Sequence, residues 1–455
     1  NYHMDLDIGK KFIQEKKFDQ ALSFFLNELE KGNKSIRLYF FLGFIYFELN
    51  QIENSINYYK LALKIEPNSL EIILSLGNAN YVLGNFLSAK NLYLKAIKLN
   101  PYNPRGYYGL YLIKPQYLTS SYIPNLIKIK KRSFNLNDNY LVEYLLSKIA
   151  KQKNDYDTEL KHLKNYQNDC FKSRNDHNLQ GLFYYNKIIS QHFNKIKFNK
   201  NISDNMELKN ISPIFIIGLP RSGSTLVESI LSAAKGDIIS LGETSIFNTS
   251  IINQIKNQIF QKNFKLEKYT LNINLSELKA HITNRYKNYL PKNKREMFFI
   301  DKSLENFFNI ESILNIFPNA KFINTKRNYN DSAIAIYQAM LPDLPWTHSI
   351  SHILKYIDNY IKIISFYEKK YSNQVLTIDL EKLTNNQELY TKKIFEFCNL
   401  SWTPEILKFY IKKNLIVKTL SNTQIRGQIT PYNQKKYKFY ETLLKNYRSK
   451  YDWLN

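Results

Sequence analysis

The stretch of sequence that decides the fold is PIFIIGLPRSGSTLVESIL, residues 213–231. It begins at 213–217 with branched and aromatic residues, a pattern typical of a buried parallel strand. A glycine-rich turn follows at 218–225, and residues 226–231 have the pattern of a helix. A strand, a glycine-rich turn and a helix in this order direct backbone N–H groups at a bound anion. The sequence therefore predicts an α/β domain with a phosphate-binding loop.

This loop differs from that of nucleotide hydrolases. Gly218 and Gly223 have the spacing of G-x-x-x-x-G, but Ser224 stands where a P-loop NTPase has lysine. Arg221 lies inside the loop instead. Both features disfavour ordinary ATP or GTP hydrolysis.

An internal repeat occupies the first hundred residues. Three glycines recur at intervals of 34 residues, namely Gly9, Gly43 and Gly77. Twelve residues after each comes a small residue, and sixteen after each an aromatic residue; the small residues are Ala21, Ser55 and Ala89, and the aromatic ones Phe25, Tyr59 and Tyr93. The pattern resembles the tetratricopeptide repeat, in which small residues let antiparallel helices approach and an aromatic ring fills the space between them.

The chain is therefore predicted to have several parts. We expect tetratricopeptide repeats at 4–102, divergent helical repeats at 103–195, a polar linker at 196–212 and the α/β domain at 213–455. The repeats either serve as a scaffold for the next domain or form a concave groove that binds a peptide or protein.

Composition limits the classes of protein. The chain has 455 residues and a formal net charge of +25, from 64 Lys and Arg against 39 Asp and Glu. The excess of positive charge belongs either to solvated surface residues without a partner or to a surface that attracts an anion. No zinc-finger, homeodomain or RNP-type motif points to nucleic acid. The two cysteines, Cys170 and Cys398, lie far apart without ligand-like neighbours. That argues against a disulfide framework or a cysteine-based zinc site.

The apolar runs and the first residues of the sequence bear on the cellular compartment. The longest clean apolar run, residues 214–219, is far shorter than the ~20 apolar residues of a membrane span. Residues 1–3 look like the remainder of a cloning scar, so we expect Met4 to be the natural start. No secretory signal pattern follows. We expect a cytoplasmic protein.

The loop LPRSGSTL, residues 219–226, resembles the 5′-phosphosulfate loop of sulfotransferases that use 3′-phosphoadenosine-5′-phosphosulfate (PAPS). Other segments resemble the same family in the same order, namely 241–243, 300–302 with 306–322, 326–331, 375–402 and 424–426. The resemblance covers about residues 211–440. The most similar type is the bacterial sulfotransferase with an N-terminal tetratricopeptide array, whose catalytic domain is similar to tyrosylprotein sulfotransferases. The resemblance implies a helical solenoid followed by a P-loop-like α/β domain with a central parallel sheet.

The resemblance also implies roles for individual residues. Glu243 would take the proton from the acceptor hydroxyl, and Lys302 would reach the bridging oxygen of PAPS. Arg327 and Arg426 would clamp the 3′-phosphate as bidentate forks. The residues that would hold the 5′-phosphate and the sulfonate are Arg221, Ser222, Gly223, Ser224 and Thr225. Arg221 would also be catalytic, together with Glu243 and Lys302. Sulfuryl transfer, like phosphoryl transfer, depends mainly on positioning and positive charge, and no metal is expected.

Each of these residues also has a purely structural interpretation. Lys302 could pair with Asp301 at the surface, Glu243 could cap a helix, and Arg426 could be an exposed arginine. His348 and His352 could supply another base, although we expect them to be packing or surface residues.

Two positions depart from the family pattern. Ala335 stands where the family has a serine that contacts the 3′-phosphate, so we expect Ser332, one turn earlier, to replace it. Leu380 stands where the family usually has tyrosine, and we expect a packing role for it.

Three functions remain open from the sequence. The first is PAPS-dependent transfer to a hydroxyl. Its acceptor stays open between a protein or peptide tyrosine, which a repeat groove and a positive charge would suit, a glycan and a small metabolite. The second is a scaffold protein with a degenerate sulfotransferase fold. The third is a nucleotide-dependent kinase, which Ser224 disfavours.

Overall fold

The computed structural model describes residues 6–199, 211–236, 238–259, 270–290, 297–411 and 415–454. The chain divides into two compact units. Residues 1–173 and 413–427 form the first, here called the repeat unit, and residues 174–412 and 428–455 form the second, the sheet unit.

The repeat unit is built from helices that pack against their neighbours along the chain. Its α-helices are α1 (Leu6–Gln14), α2 (Phe18–Glu30), α3 (Ile36–Glu48), α4 (Ile52–Ile65), α5 (Leu70–Leu83), α6 (Phe86–Leu99), α7 (Arg105–Ile113), α8 (Ile123–Arg132), α9 (Leu136–Gln152) and α10 (Tyr156–Ser173). Short 3₁₀ helices lie at Pro115–Tyr117, Ser120–Tyr122 and Gln424–Arg426.

The repeat glycines pack against the aromatic residues of the same repeat. A Cβ atom at Gly43 would lie 2.6 Å from the ring of Tyr59, and one at Gly77 would lie 2.8 Å from Tyr93. Ser55, the small residue of the second repeat, donates a hydrogen bond to the Gly43 carbonyl at 2.6 Å. The 34-residue interval thus marks positions where the second helix and its aromatic ring touch the first helix.

The sheet unit contains a central five-stranded parallel sheet, which confirms the predicted fold class. The strands of the chain are β1 (Lys197–Asn199), β2 (Ile211–Gly218), β3 (Ile238–Ser240), β4 (Asn272–Asn274), β5 (Met297–Asp301), β6 (Lys321–Lys326) and β7 (Val375–Asp379). The order in the main sheet is β3-β5-β2-β6-β7, and β1 pairs separately with β4. Strand β2 is central and buried, and the ring of Phe215 stacks on Phe322 of β6 at 5.5 Å.

Helices and short turns surround this sheet. The α-helices of the sheet unit are α11 (Asn175–Phe183), α12 (Ser190–His192), α13 (Ser224–Ser232), α14 (Ile246–Ile259), α15 (Leu275–Lys287), α16 (Ile310–Ile316), α17 (Tyr329–Tyr337), α18 (Ile350–Lys370), α19 (Leu380–Asn385) and α20 (Gln387–Phe397). A π-helix spans Tyr184–Ile189, and 3₁₀ helices span Leu304–Asn309, Pro345–Thr347, Pro404–Ile411, Gln434–Leu443, Lys445–Tyr447 and Asp452–Leu454.

The boundary between the units differs from the predicted one at residue 195. Residues 174–195 belong to the sheet unit, because aromatic side chains in this stretch pack into its core. The ring of Tyr185 lies 5.7 Å from Phe308 and 6.0 Å from Tyr356. The predicted linker is also partly regular, since β1 lies within it and β2 begins at Ile211. The rest of that linker, 200–210, lies outside the described residues.

A second difference concerns the docked segment, residues 415–427, which was predicted as part of the α/β domain. This segment bonds instead to backbone groups of the repeat helices. The Val417 N–H donates to the Val82 carbonyl at 3.1 Å, and Lys418 Nζ donates to the Phe47 carbonyl at 2.6 Å. Asn422 Nδ2 donates to the Tyr81 carbonyl at 2.7 Å.

None of the helices in the described ranges is both long and apolar enough to cross a membrane.

Candidate active site

The predicted site residues follow the carboxyl ends of four neighbouring parallel strands. The glycine-rich loop follows β2, Lys302 follows β5 directly, and Arg327 follows β6 directly. Beyond β3, backbone hydrogen bonds continue to β5, from Leu241 to Ile300 at 2.8 Å and from Lys302 to Gly242 at 2.9 Å. Glu243 is therefore carried to the same edge of the sheet. Ligands of open α/β sheets bind at this edge.

Backbone conformation makes the loop specific for glycine at two positions. Gly218 and Gly223 have φ angles of +143° and +90°. A Cβ atom at Gly218 would lie 2.6 Å from the Thr325 carbonyl oxygen, and one at Gly223 would lie 2.5 Å from Leu380 Cδ1. Leu380 thus packs against the loop.

A hydroxyl pair fastens the loop to β6. Ser222 is buried, and its Oγ donates to the Leu219 carbonyl at 2.5 Å and lies 2.8 Å from Thr325 Oγ1. Gly223 is the N-cap of helix α13, whose first residues, Ser224 and Thr225, are buried. The N-terminus of α13 directs backbone N–H groups at this end, where an anion can bind.

Lys302 is fully buried and is held by two carboxylates. Its Nζ donates to Glu243 Oε1 at 2.6 Å and lies 3.7 Å from Glu228 Oε2. Burial opposes the charge, but the carboxylates of Glu243, Glu228 and Asp301 outweigh it and raise the pKa of the Lys302 ammonium. Lys302 is therefore a fixed positive charge at neutral pH, while the Glu243 side chain remains 55% exposed.

One interpretation of the sequence was a surface ion pair between Lys302 and Asp301. The structure contradicts it, because both residues are buried. The Asp301 carboxylate accepts hydrogen bonds from Thr244 Oγ1 and Tyr286 OH, both at 2.6 Å, and from Ser303. Because Thr244 follows Glu243, these bonds also fix the turn that carries Glu243.

Arg327 lies beside the loop. Its Nη1 donates to the Arg221 carbonyl at 2.6 Å, and its Nη2 donates to Tyr432 OH at 2.8 Å. The guanidinium also lies 4.7 Å from the ring centre of Tyr432 and 5.2 Å from that of Tyr437. Tyr432 in turn donates to Asp331 on α17. A buried arginine is thus held against the backbone of the glycine-rich loop.

Other predicted residues have structural contacts elsewhere. Arg426 lies in the repeat unit, where its Nη2 donates to the carbonyls of Val82 and Leu415 at 2.8 and 2.6 Å. These contacts give no support to its predicted role at the 3′-phosphate. Ser332 is buried, and its hydroxyl donates to the Asn328 carbonyl of its own helix at 3.0 Å.

The histidines are weak candidates for a base. Burial lowers the pKa of His348 to about 4 and also lowers that of His352. Both rings are therefore neutral at neutral pH and bind a proton less readily than a free histidine does.

Sequence reasoning missed Glu228 and Tyr432. Glu228 is the acidic residue in the apolar stretch of α13, and a charge in such a stretch is the signal that could have marked it. Tyr432 is separated from Arg327 by about a hundred residues, and no motif connects them. Among the described residues, no cluster of His, Cys, Asp and Glu has the composition of a metal site.

Two family models match this chain. Residues 213–404 match the sulfotransferase family, and residues 36–69 match the tetratricopeptide repeat.

Curated relatives share parts of the sequence. An uncharacterized protein of Aquifex aeolicus (strain VF5) is 29% identical over 239 residues, which are 51% of this chain and 31% of that protein. The uncharacterized protein ycf37 of Guillardia theta is 32% identical over 97 residues, which are 20% of this chain and 54% of that protein. The chain spans about a third to a half of the length of these relatives.

Two solved sulfotransferase structures are similar to parts of this chain. The sulfotransferase domain of the Synechococcus PCC 7002 olefin synthase is 17% identical, with a TM-score of 0.37, covering 53% of this chain and 91% of that one. Sulfotransferase STF1 of Mycobacterium tuberculosis H37Rv is 13% identical, with a TM-score of 0.31, covering 74% and 97%. The family matches, together with the sheet and the loop, lead to one conclusion: this chain joins tetratricopeptide repeats to a domain of the sulfotransferase family at residues 213–404.

Proposed function

We propose that the sheet unit transfers a sulfuryl group from PAPS to a hydroxyl group of an acceptor. The observation that carries the proposal is the bond between Lys302 and Glu243, 2.6 Å long, at the edge of the sheet where the glycine-rich loop lies. It joins a buried, protonated amine to an exposed carboxylate. One supplies the positive charge and the other the base that this transfer needs.

The residues at this edge fit such a nucleotide. The loop between Gly218 and Gly223 has no room for a Cβ at either glycine, and α13 presents its N-terminus there. Arg327 adds a buried positive charge beside the loop. An anionic diphosphate or phosphosulfate group suits this combination of amides and cations.

When bound, PAPS supplies the sulfuryl group, whose bond to the bridging oxygen breaks as the acceptor oxygen bonds to sulfur, so that 3′,5′-ADP leaves. In our proposal Lys302 stabilises negative charge that develops on the leaving side. Glu243 takes the proton of the acceptor hydroxyl through its exposed carboxylate. Arg221, inside the loop, contributes a further positive charge, and Arg327 holds the nucleotide.

We also propose that the repeat unit recognises the acceptor, which we take to be a protein or peptide. One support is the match to the tetratricopeptide repeat. The other is the docked segment, whose side chains donate hydrogen bonds to backbone carbonyls of the repeat helices. Helices that accept such bonds are suited to holding a polypeptide.

The test uses the full chain. Calorimetry with 3′,5′-ADP and with ATP measures which nucleotide binds, and radiolabelled PAPS incubated with a cell lysate measures where the label goes. We expect 3′,5′-ADP to bind and label to enter protein; the Lys302→Met variant, with its charge removed, should not transfer label.

The other outcomes decide between the alternatives. A chain that binds ATP but not 3′,5′-ADP would support a kinase. A chain that binds nucleotide but transfers label to no fraction would support a scaffold. Label in glycans or small molecules would contradict the proposed protein acceptor.

A further inference from the structure

Lys302 has a second carboxylate partner besides the proposed base. Glu228 lies on α13, and its Oε2 is 3.7 Å from Lys302 Nζ. Its other oxygen, Oε1, accepts a hydrogen bond from Ser240 Oγ on β3 at 2.5 Å. Glu228 thus connects the helix that begins at the loop with Ser240 on β3 and with the residue that follows β5.

The two carboxylates differ in their access to solvent. The Glu228 side chain is 14% exposed, whereas that of Glu243 is 55% exposed. An acceptor hydroxyl can reach Glu243. Glu228 is enclosed by α13, Ser240 and Lys302, so it is not positioned to take part in proton transfer with an acceptor.

The hydrogen bond between the proposed base and a buried ammonium has an electrostatic consequence when the base takes up a proton. Once Glu243 has taken a proton it is neutral, and it no longer balances the Lys302 ammonium. A buried charge that loses its only partner is strongly destabilised. Asp301 is the other acidic group near Lys302, but its oxygens already accept hydrogen bonds from Thr244, Tyr286 and Ser303.

Burial raises the pKa of the Glu228 carboxyl, and the Lys302 ammonium and the Ser240 hydroxyl oppose that rise. We propose that Glu228 is a counter-ion of Lys302, a positioning residue that keeps the amine charged and in place while Glu243 gains and loses a proton. This inference rests on the proposed function, because it assumes that Glu243 is the base. Glu228 itself does not contact the reacting atoms. Its effect on the reaction is exerted through Lys302.

The first test is a double-mutant cycle on stability, which needs no nucleotide. Glu243→Gln imitates the protonated base, and Glu228→Gln removes the proposed counter-ion while keeping an oxygen for Ser240. Urea unfolding at pH 7 should show that the double variant loses more stability than the two single variants combined, because Lys302 then lacks both partners. Additive losses would overturn the proposal.

The matched control is Glu311→Gln. Glu311 on α16 is also 14% exposed and also pairs with a lysine, Lys370, but it lies outside the candidate site. Combined with Glu243→Gln it should give additive losses.

The second test is the pH dependence of transfer. The acidic groups that raise the pKa of Lys302 are Glu243, Glu228 and Asp301, so removing the charge of Glu228 lowers that pKa. The alkaline limb of the turnover profile in Glu228→Gln should move to lower pH by about one unit or more, as expected for loss of a neighbouring opposite charge. Turnover is measured as label transferred to the acceptor fraction.

The outcomes separate the inference from the proposed function. If the wild-type chain fails to bind 3′,5′-ADP, the proposed function fails. If it binds and transfers, and Glu228→Gln has an unshifted alkaline limb, Glu228 is not the counter-ion. Affinity for 3′,5′-ADP at pH 7 should stay within about threefold of wild type, since Lys302 is still protonated there.

Discussion

At the scale of single residues, the acidic groups and the arginines at the sheet edge have different tasks. Glu243 touches Lys302 through one oxygen and is otherwise exposed. Glu243→Gln keeps its size and removes its charge. We expect turnover to fall ~10²–10⁴-fold, the range for loss of a general base, with little change in the affinity for 3′,5′-ADP. Labelled transfer and calorimetry measure the two effects; turnover at the wild-type rate would show that another group is the base.

Arg327 should have the opposite effect. Its guanidinium bonds the loop backbone at Arg221 and the hydroxyl of Tyr432. Arg327→Ala removes a charge-assisted donor, so we expect 3′,5′-ADP to bind about 10–100-fold more weakly. Tyr432→Phe is the control, because it removes one support of Arg327 and keeps the charge; its loss should be smaller. Unchanged affinity in calorimetry of Arg327→Ala would remove Arg327 from the site.

The sequence could identify Lys302 and Glu243 as candidates, but it could not show that they bond to each other. That contact depends on β3 lying beside β5, and strand order cannot be read from a single sequence. The pairing of Glu228 with Lys302 depends on the same order. For Arg426 the motif suggested a contact with a phosphate, whereas in the structure the guanidinium donates to backbone carbonyls.

At the scale of elements, the strand, loop and helix were predictable because their signals are local. The strand extends to 211–218, and the helix begins at Ser224, two residues earlier than its apolar pattern indicates. The π-helix at Tyr184–Ile189 has no local signal in the sequence, and its Tyr185 ring packs against the distant Phe308 and Tyr356.

The loop makes a prediction at this scale. Gly223 has a φ of +90° and would bring a Cβ to 2.5 Å from Leu380, whereas Gly32 has a φ of +89° and open space around it. Gly32→Ala therefore measures the backbone cost alone, ~1–2 kcal/mol of unfolding free energy. Gly223→Ala should cost more, and adding Leu380→Ala should recover part of the difference. Equal losses in urea unfolding would show that Leu380 does not crowd the loop.

At the scale of the whole molecule, the order of repeats and α/β domain was predictable from periodicity and motif. The division into units was not, because it depends on contacts between distant parts of the chain. Residues 174–195 join the sheet unit through aromatic packing, and the docked segment belongs to the repeat unit. The hydrogen bond from Asn422 to the Tyr81 carbonyl connects residues 341 positions apart, a distance at which sequence patterns carry no information.

The docked segment gives the last prediction, on Arg426. Its guanidinium bonds the carbonyls of Val82 and Leu415 and the side chain of Asn422, and it packs so closely on Gly84 that a Cβ there would lie 2.6 Å from Arg426 Cζ. Arg426→Ala leaves these acceptors without their donor, so we expect a loss of ~1–3 kcal/mol of unfolding free energy.

Two measurements on Arg426→Ala separate its possible roles. Urea unfolding measures the structural loss, and Arg105→Ala is the control, because the ion pair of Arg105 with Glu71 is exposed and should contribute at most ~1 kcal/mol. Calorimetry with 3′,5′-ADP measures the predicted phosphate contact. If Arg426 only fastens the docked segment to the repeats, affinity stays within about threefold of wild type, less than the cost of losing a charge-assisted bond. A loss of tenfold or more, with unfolding unchanged, would instead restore Arg426 to the 3′-phosphate.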